Sequence, residues 1–553
     1  MLKNQELASQ VLDALYTLQE AAISLLNYMD GTDSIGFKKE LSDVSVFIDT
    51  IIPYAKEFAA EDSHISLLVA CQCMQGSIFD IQRFYGVDME RCRSKIQFEL
   101  LPIAEAEYDL FYYWGMVYPD PERMKKYYDE EYIPLNVNRY TEEAVQTGTF
   151  KYKVSIVVQA YNHLDVTKRC IESLLENLPT ALSYELILVN HGSTDGTKAF
   201  FESICPNKQV DFLVNSSSGL ACYVRNRIVE GEYLLWISND VFVTPHAIEN
   251  LVACMDSNPK IGWAVPATSN ISNYQSLPIS YNTKEELYKF CEKNNQCNPR
   301  KWEKRIRLCN PIDIMRCETR LSSKGIGYLK PQTEDSDTFP DDMVSLYLRR
   351  SGYELRLVKD AYCHHMGSVT INQDPEVVQK QNEFYANGRR KFERQFGVDP
   401  WGLGVCYSKA FMNCVLEHDM DEAEILGINC GLGSNSLKIQ EQLKEYYGNF
   451  NTHLFNITDD PKFLNDLSGI SEDTAYVTTK EELEAFLAGR AIRYLVWEDI
   501  FLEEIGFQNI WDICRRNLVQ GRSTVLMRLN DQNAAFLQKN GAVLDENWYQ
   551  IKL

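Results

Sequence analysis

No CxxC pair and no cysteine–histidine spacing suited to zinc occurs in this 553-residue sequence, although it holds 16 cysteines; Cys71 and Cys73 come closest. Cysteines scattered singly, far below the density of a disulfide scaffold, read as the reduced thiols of a cytosolic protein. Also missing is any uninterrupted apolar run near the ~20 residues that a membrane-spanning helix needs. The opening MLKNQELASQ lacks the basic and then apolar pattern of a signal peptide. These absences predict a cytoplasmic protein and argue against an enzyme that carries its own membrane helices. Positive charge is short as well: 55 Lys and Arg against 78 Asp and Glu leave a net charge of −23. A field of that sign repels nucleic acid and anionic lipid, so an anionic ligand must be held by a local cation, by backbone amides or by a bound divalent metal.

What is present is an ordinary globular composition, 45% apolar and 24% charged, in a chain too long for one core. A prior of ~150 residues per domain suggests three or four domains. Residues 1–150 read as an α-helical domain. Leu7, Val11, Leu15, Leu18, Ala22, Leu25 and Met29 recur at steps of three and four, and similar stripes run through Val44 to Ile52 and Ile65 to Met74. Such stripes are core rather than site. The aromatic stretch YDLFYYWGMVY (Tyr108 to Tyr118) is read the same way.

At Lys153 the pattern changes. VSIVV (Val154 to Val158) is a strand buried on both faces, ended by Gln159-Ala160-Tyr161-Asn162, and a helical stretch with Val166, Cys170 and Leu174 follows. A second buried strand, Leu186 to Val189, runs into NHGSTDGT (Asn190 to Thr197). Strand, helix and strand in about forty residues describe a βαβ unit with a parallel sheet. Phe212-Leu213-Val214 gives a third strand. GEYLLWISNDVFVTP (Gly231 to Pro245) gives a fourth, which stops at Ser238, Asn239 and Asp240. Ligands gather at the carboxyl ends of strands in open α/β sheets, which makes Asp240 a candidate for handling metal or phosphate. The plainer reading is an Asp that begins a turn.

The succession VSIVVQAYN, ELILVNHGSTDGT, NSSSGLACYVRN and YLLWISNDV resembles the nucleotide-sugar half of a family 2, GT-A fold glycosyltransferase. FPDD (Phe339 to Asp342) and LRRSGYELRLVKDAYCHHMGSVT resemble its acceptor half. The likeness covers Lys153 to about Gly404 and gives residues 151–404 as a GT-A domain. It implies donor contacts from Ala160, Tyr161, Asn162, Asn190, Gly192, Ser193, Asp195, Gly219, Arg225 and Asn239. It also implies Mn²⁺ or Mg²⁺ on Asp240, joined by His364 or His365. Neighbouring strand residues face opposite ways, so at most one of the two histidines enters the site. A base that deprotonates the acceptor falls on Asp341 or Asp342, Asp341 aligning with the Asp of the family's acidic motif. Helix capping is the alternative account of that acidic pair. Two positions depart from the family pattern: Asn190 stands where an Asp commonly recognises uracil, and Ser238 replaces the first acid of the metal motif, which leaves Ser238 a bystander.

Residues 405–553 read as strand, glycine turn, helix and further strands, resembling the Rossmann-like S-adenosylmethionine methyltransferases. The turn keeps Gly427, Asn429, Gly431 and Gly433 but lacks the leading acid and first glycine, and Asn456 takes the place of the ribose-binding acid. The unit is therefore expected to be non-catalytic, used for packing, partner binding or homo-oligomerisation. The fold class is α/β multidomain. The resemblance implies an inverting, metal-dependent glycosyltransferase of bacterial type. UDP-N-acetylglucosamine is the expected donor and a hydroxyl of a protein such as flagellin the expected acceptor. A rhamnosyl or hexosyl transferase acting on glycan precursors, and an inactive scaffold that binds partners, are the alternatives.

Overall fold

The computed structural model of the protein describes residues 5–61, 65–129, 137–213, 219–322, 339–367, 375–412, 414, 416, 421–545 and 547–553. The chain forms two compact units. One comprises Met1–Thr244, Pro311–Thr333 and His364–Met366, the other Pro245–Asn310, Glu334–Cys363 and Gly367–Leu553. The strands up to the middle of the chain are β1 (Tyr152–Ala160), β2 (Tyr184–His191), β3 (Lys208–Phe212), β4 (Gly231–Ser238), β5 (Val241–Phe242), β6 (Ile261–Thr268), β7 (Trp302–Arg305), β8 (Ile312–Arg316) and β9 (Glu354–His365).

In the first unit the sheet runs β3-β2-β1-β4-β8, parallel except for β8. Val154, Ile156, Val157 and Val158 are fully buried, as expected of a strand covered on both faces. The register pairs Ala160 with Asn190 and Gln159 with Ser238, so three strands end at one level. The third strand is not where Phe212-Leu213-Val214 placed it: β3 lies earlier and stops at Phe212, with Leu213 outside it. Its charged residues hid it. Lys208 is buried between Glu185 and Glu230 at 2.6 Å from each, and Asp211 is buried against Lys95.

The helical stripe of the first helix, Gln5–Asp30, does face inward. Val11, Leu15, Leu18, Ala22 and Leu25 share one core with Val157, Ile187, Val189 and Leu234 of the sheet. A π-helical turn, Ile96–Leu100, joins Met89–Lys95 to Leu101–Tyr112 and carries Glu99 to β3. There Lys95 Nζ lies 2.7 Å from both Glu99 and Asp211, and Glu99 accepts the Asp211 backbone N–H. The change of character at 150/151 is thus a change of secondary structure inside one core.

The second unit pairs β9 with β6 in parallel and with β7 antiparallel. Its second sheet consists of β10 (Ala423–Ile428), β11 (Thr452–Thr458), β12 (Asp473–Tyr476), β13 (Ile492–Trp497), β14 (Thr524–Arg528), β15 (Ala542–Val543) and β16 (Trp548–Lys552), in the order β12-β11-β10-β13-β14-β16-β15. The first five of that order are parallel and the last two antiparallel. The tight turn after β10 needs glycine: a Cβ on Gly431 (φ +55°) would sit 2.2 Å from the Leu403 carbonyl oxygen. Ile306, Phe339, Met343 and Leu346 pack in one core with Ile425, Leu437 and Tyr494, so the 404/405 boundary also lies within a core. No helix among the described residues is long and apolar enough to cross a membrane. None of the sixteen cysteines forms a disulfide.

Candidate active site

The loops after β1 and β2 are tied together before any ligand is considered. Ser193 Oγ accepts the Asn162 N–H (2.8 Å), Asn162 Oδ1 accepts that of Thr194 (2.9 Å), and Asp195 accepts that of Leu164 (2.8 Å). Asn162 itself is left-handed (φ 53°), a conformation its short amide tolerates. Burial works against the Asp195 charge, but Thr197 and the backbone N–H groups hold its carboxyl below the usual range. Asn162, Ser193 and Asp195 are therefore the frame of the loops. Gly192 supplies a positive φ there (78°), Ala160 ends β1 in the core, and Tyr161 is exposed beside them.

Asn190 is 2% exposed and both ends of its amide are engaged: Oδ1 accepts the Ser193 N–H at 2.9 Å and Nδ2 donates to Asp211 at 3.2 Å. It shapes the loop through these bonds. Sequence reading missed the neighbours that do face one another here. Gln159 Oε1 accepts from Arg225 (2.9 Å) and from the Trp236 indole, and Gln159 Nε2 lies 3.0 Å from His191 Nε2. Burial and the Arg225 charge push His191 down to about 4, so it is neutral at physiological pH. The available signal was a polar Gln159 near the carboxyl end of a largely apolar strand. It lies on the same face as Val157, whose register partner is Trp236. Gly219 opens the helix Gly219–Ile228, which carries the buried Arg225; residues 215–218 of the NSSSG segment lie outside the described residues.

Asp240 follows β4 directly, and the chain then pairs β5 with the end of β9, Val241 opposite His365 and Phe242 opposite His364. The Asp240 carbonyl accepts the Met366 N–H at 3.1 Å. This pairing brings His365 Nε2 to 3.3 Å from Asp240 Oδ2, while His364 stacks on Phe242 with ring centroids 5.3 Å apart. One histidine of the pair reaches Asp240, as strand alternation requires. Ser238 is no bystander: its hydroxyl donates to Asp240 Oδ1 at 2.7 Å. Burial raises the Asp240 pKa, but His365 and Ser238 together outweigh it and hold the carboxylate ionised. Asn239 turns away and donates to Thr167 Oγ1 at 2.9 Å, so it positions the turn.

Asp240 and His365 offer an oxygen and a nitrogen ligand, a set compatible with Mn²⁺ and, more weakly, with Mg²⁺. Among the described residues no three His, Cys, Asp or Glu side chains converge as a metal cage. The pair therefore fits a metal that keeps water or ligand oxygens for its remaining positions.

In the second unit the helix Pro340–Arg350 begins at a proline in its first turn, and neither acid caps it. Asp341 and Asp342 lie within that first turn, where the helix dipole favours their charge. They differ in their partners. Asp342 is 6% exposed and is gripped by Arg307 through two oxygens, yet burial still lifts its pKa above the usual value. Asp341 is half-buried and accepts the Asn310 N–H at a long 3.4 Å. In the second sheet Asn456 is fully buried, bonded to Ser436 and Ser471 at 2.8 Å, and so cannot meet a ribose as its position suggested.

A parallel sheet with loop amides, an ionised Asp and a His gathered at its carboxyl ends is the place where open α/β folds take their ligands. Comparison with known proteins adds a family match: residues 155–306, just over a quarter of the chain, match Glycosyl transferase family 2. An uncharacterized glycosyltransferase, YibD, of Escherichia coli (strain K12) is 32% identical over 103 residues, 18% of this chain and 29% of that protein. A chondroitin synthase of Escherichia coli is 28% identical over 176 residues, 29% of this chain and 25% of that protein. The chain thus spans under a third of either relative's length. Among solved structures, the mannosyltransferase PcManGT of Pyrobaculum calidifontis, in complex with GDP-Man and Mn²⁺, aligns over 53% of this chain and 78% of its own at 14% identity and a TM-score of 0.31.

Proposed function

We propose that this protein is an inverting, metal-dependent glycosyltransferase. The observation that carries the reading is the Asp240–His365 pair at the end of β4, with Asp240 inside the family 2 match. Sugar transfer expels a nucleoside diphosphate, and a bound Mn²⁺ or Mg²⁺ would stabilise the charge that grows on it. Asp240 and His365 would hold that ion, with Ser238 fixing the carboxylate's orientation. The loop frame of Asn162, Ser193 and Asp195 would carry the nucleoside, with Arg225 and the neutral His191 beside it. Asp341 is the proposed base, taking the proton of the acceptor hydroxyl as that oxygen attacks the anomeric carbon, because Asp342 is already committed to Arg307.

The particular reaction we propose moves N-acetylglucosamine from its UDP donor to a hydroxyl of a protein such as a flagellin, in the cytoplasm. A glycan acceptor is the second reading, favoured by the likeness to a chondroitin synthase. The C-terminal sheet we read as Rossmann-like without methyl transfer. Asp459, next to its strand ends, spends one oxygen on Asn429 and the other on the Leu502 N–H, at 2.7 Å each.

Release of UDP from several nucleotide sugars, with and without Mn²⁺, tests the reading. Metal-dependent turnover that disappears in Asp240→Ala supports it, and no turnover or donor binding with any sugar nucleotide refutes it. Supplying peptides and polysaccharides in turn separates the two acceptor readings.

A further inference from the structure

At the carboxyl end of β13 one buried acid is left incomplete. Glu498 is 7% exposed, and its backbone N–H donates to the Ile428 carbonyl at the end of β10. The strand order β12-β11-β10-β13-β14 reverses direction between these two strands, and open α/β sheets take their ligands in the crevice outside such a reversal. The Asn435 amide hydrogen-bonds the Glu498 carboxyl, and Asn435 Oδ1 is itself fixed by the Ser408 N–H at 2.8 Å. The other carboxyl oxygen, Oε2, is buried with no hydrogen-bond partner. A buried acceptor without a donor is destabilising, and a ligand's hydroxyl that reached it would supply the missing bond. Glu498 is one of the residues lining a cavity of about 480 Å³, together with Trp401, Arg528 and Asn547.

The neighbouring cavity of about 380 Å³ at Asn429 and Asp459 is different. Three of its acids are already engaged: Asp459 as above, Asp399 with Arg389, and Asp460 with Lys462. Glu498 differs from these acids in keeping a buried oxygen unsatisfied.

The lining selects the ligand. Glu498 and Asp545 oppose an anion, and the Arg528 guanidinium opposes a cation, so the charges among the described residues favour an uncharged partner. Burial lifts the Glu498 carboxyl to about 7, so near neutrality it is able both to accept and to donate, as a hydroxyl partner needs. Trp401 is 40% exposed and held by edge contacts with Phe339 (centroids 5.0 Å apart), offering a rigid apolar surface at the rim. Hydroxyls on one side and an apolar C–H face on the other are the chemistry of a saccharide.

We propose that the crevice at Glu498 is a binding site for a neutral saccharide unit, anchored by the Glu498 carboxyl and packed on Trp401. The claim does not rest on the transferase reading and concerns different residues.

Saturation-transfer NMR of the full-length protein tests it. The probes are the methyl glycosides of glucose, galactose and N-acetylglucosamine and their β-linked disaccharides, with trimethylammonium and sulfate as charged controls. The expected result is saturation transfer to at least one saccharide. Glu498→Leu and Trp401→Ala should each weaken that binding by about tenfold or more, the scale of one lost buried hydrogen bond or stacking contact. Glu498→Gln, which keeps the hydrogen bonding, should bind within about threefold of wild type. Thermal melting of each variant establishes folding, and metal-dependent donor turnover should be unchanged in all three. The proposal is overturned if no saccharide responds, if binding persists in folded Glu498→Leu, or if a charged control binds in preference. Saccharide binding without any donor turnover would remove the transferase reading and leave this site standing.

Discussion

At Asp240 two side chains share one carboxylate, and each has a separable effect. His365 and the Ser238 hydroxyl both favour the ionised form that a metal needs. Asp240→Asn should lower metal-dependent turnover by about 10²–10³-fold, the scale of losing one charge-stabilising group. Ser238→Ala should cost about tenfold or less, through one hydrogen bond, and rate against metal concentration distinguishes the two variants. The acidic pair on the helix Pro340–Arg350 gives a second contrast. Asp342→Ala leaves the partly buried Arg307 guanidinium without its carboxylate and should destabilise the fold by about 3 kcal/mol. Asp341→Asn should leave the melting temperature unchanged while reducing transfer to acceptor by about 10²–10⁴-fold. If instead Asp342→Asn alone abolished transfer in a folded protein, the base assignment would move to Asp342. Residue types at the strand ends were legible in the sequence. Which member of each pair meets Arg307, Phe242 or Asp240 was not, because those partners lie far away in the chain.

The elements show the same division. Continuous apolar runs marked β1, β2 and β4 because a strand buried on both faces has no room for polar residues. β3 escaped because its Lys208 and Asp211 are buried in ion pairs, which a hydropathy reading places on the surface. That network predicts a large effect: Lys95→Met leaves Glu99 and Asp211 buried without their cation, and should cost about 3–5 kcal/mol in denaturant unfolding. The helix Leu101–Tyr112 carries a different kind of buried charge. Burial raises Glu107 to about 8 against an ordinary 4.5, with the Ser66 hydrogen bond opposing only in part. The folded state therefore binds this proton more tightly than the unfolded chain. Its contribution to stability is full below about pH 4.5 and is lost as pH rises towards about 8. Glu107→Gln should accordingly be more stable than wild type at about pH 8.5, by at most about 5 kcal/mol, with the difference vanishing below about pH 4.

For the whole molecule, a net charge of −23 means that an anionic donor gains nothing from the overall field and depends on its local site. A nucleotide sugar at about 100 times its Kd should raise stability by about 2.7 kcal/mol in the presence of Mn²⁺. Chelation of the metal, or Asp240→Ala, should remove that shift in a thermal-melt assay. The sequence by itself determined the α/β class, the strands β1, β2 and β4, and the positions where those strands hand over to polar loops. Those features are local: they follow from side-chain periodicity of 3.6 or 2 and from turn chemistry, which neighbouring residues dictate. Only the tertiary structure decided that the helical stripes and the first sheet share one core, and that His365 rather than His364 meets Asp240. It alone showed that Ser238 serves that Asp, that Asn190 and Asn456 are consumed by internal hydrogen bonds, and that Glu498 keeps an oxygen unsatisfied. Each of these turns on pairing between residues distant in sequence, and strand register and burial exist only once the chain has folded.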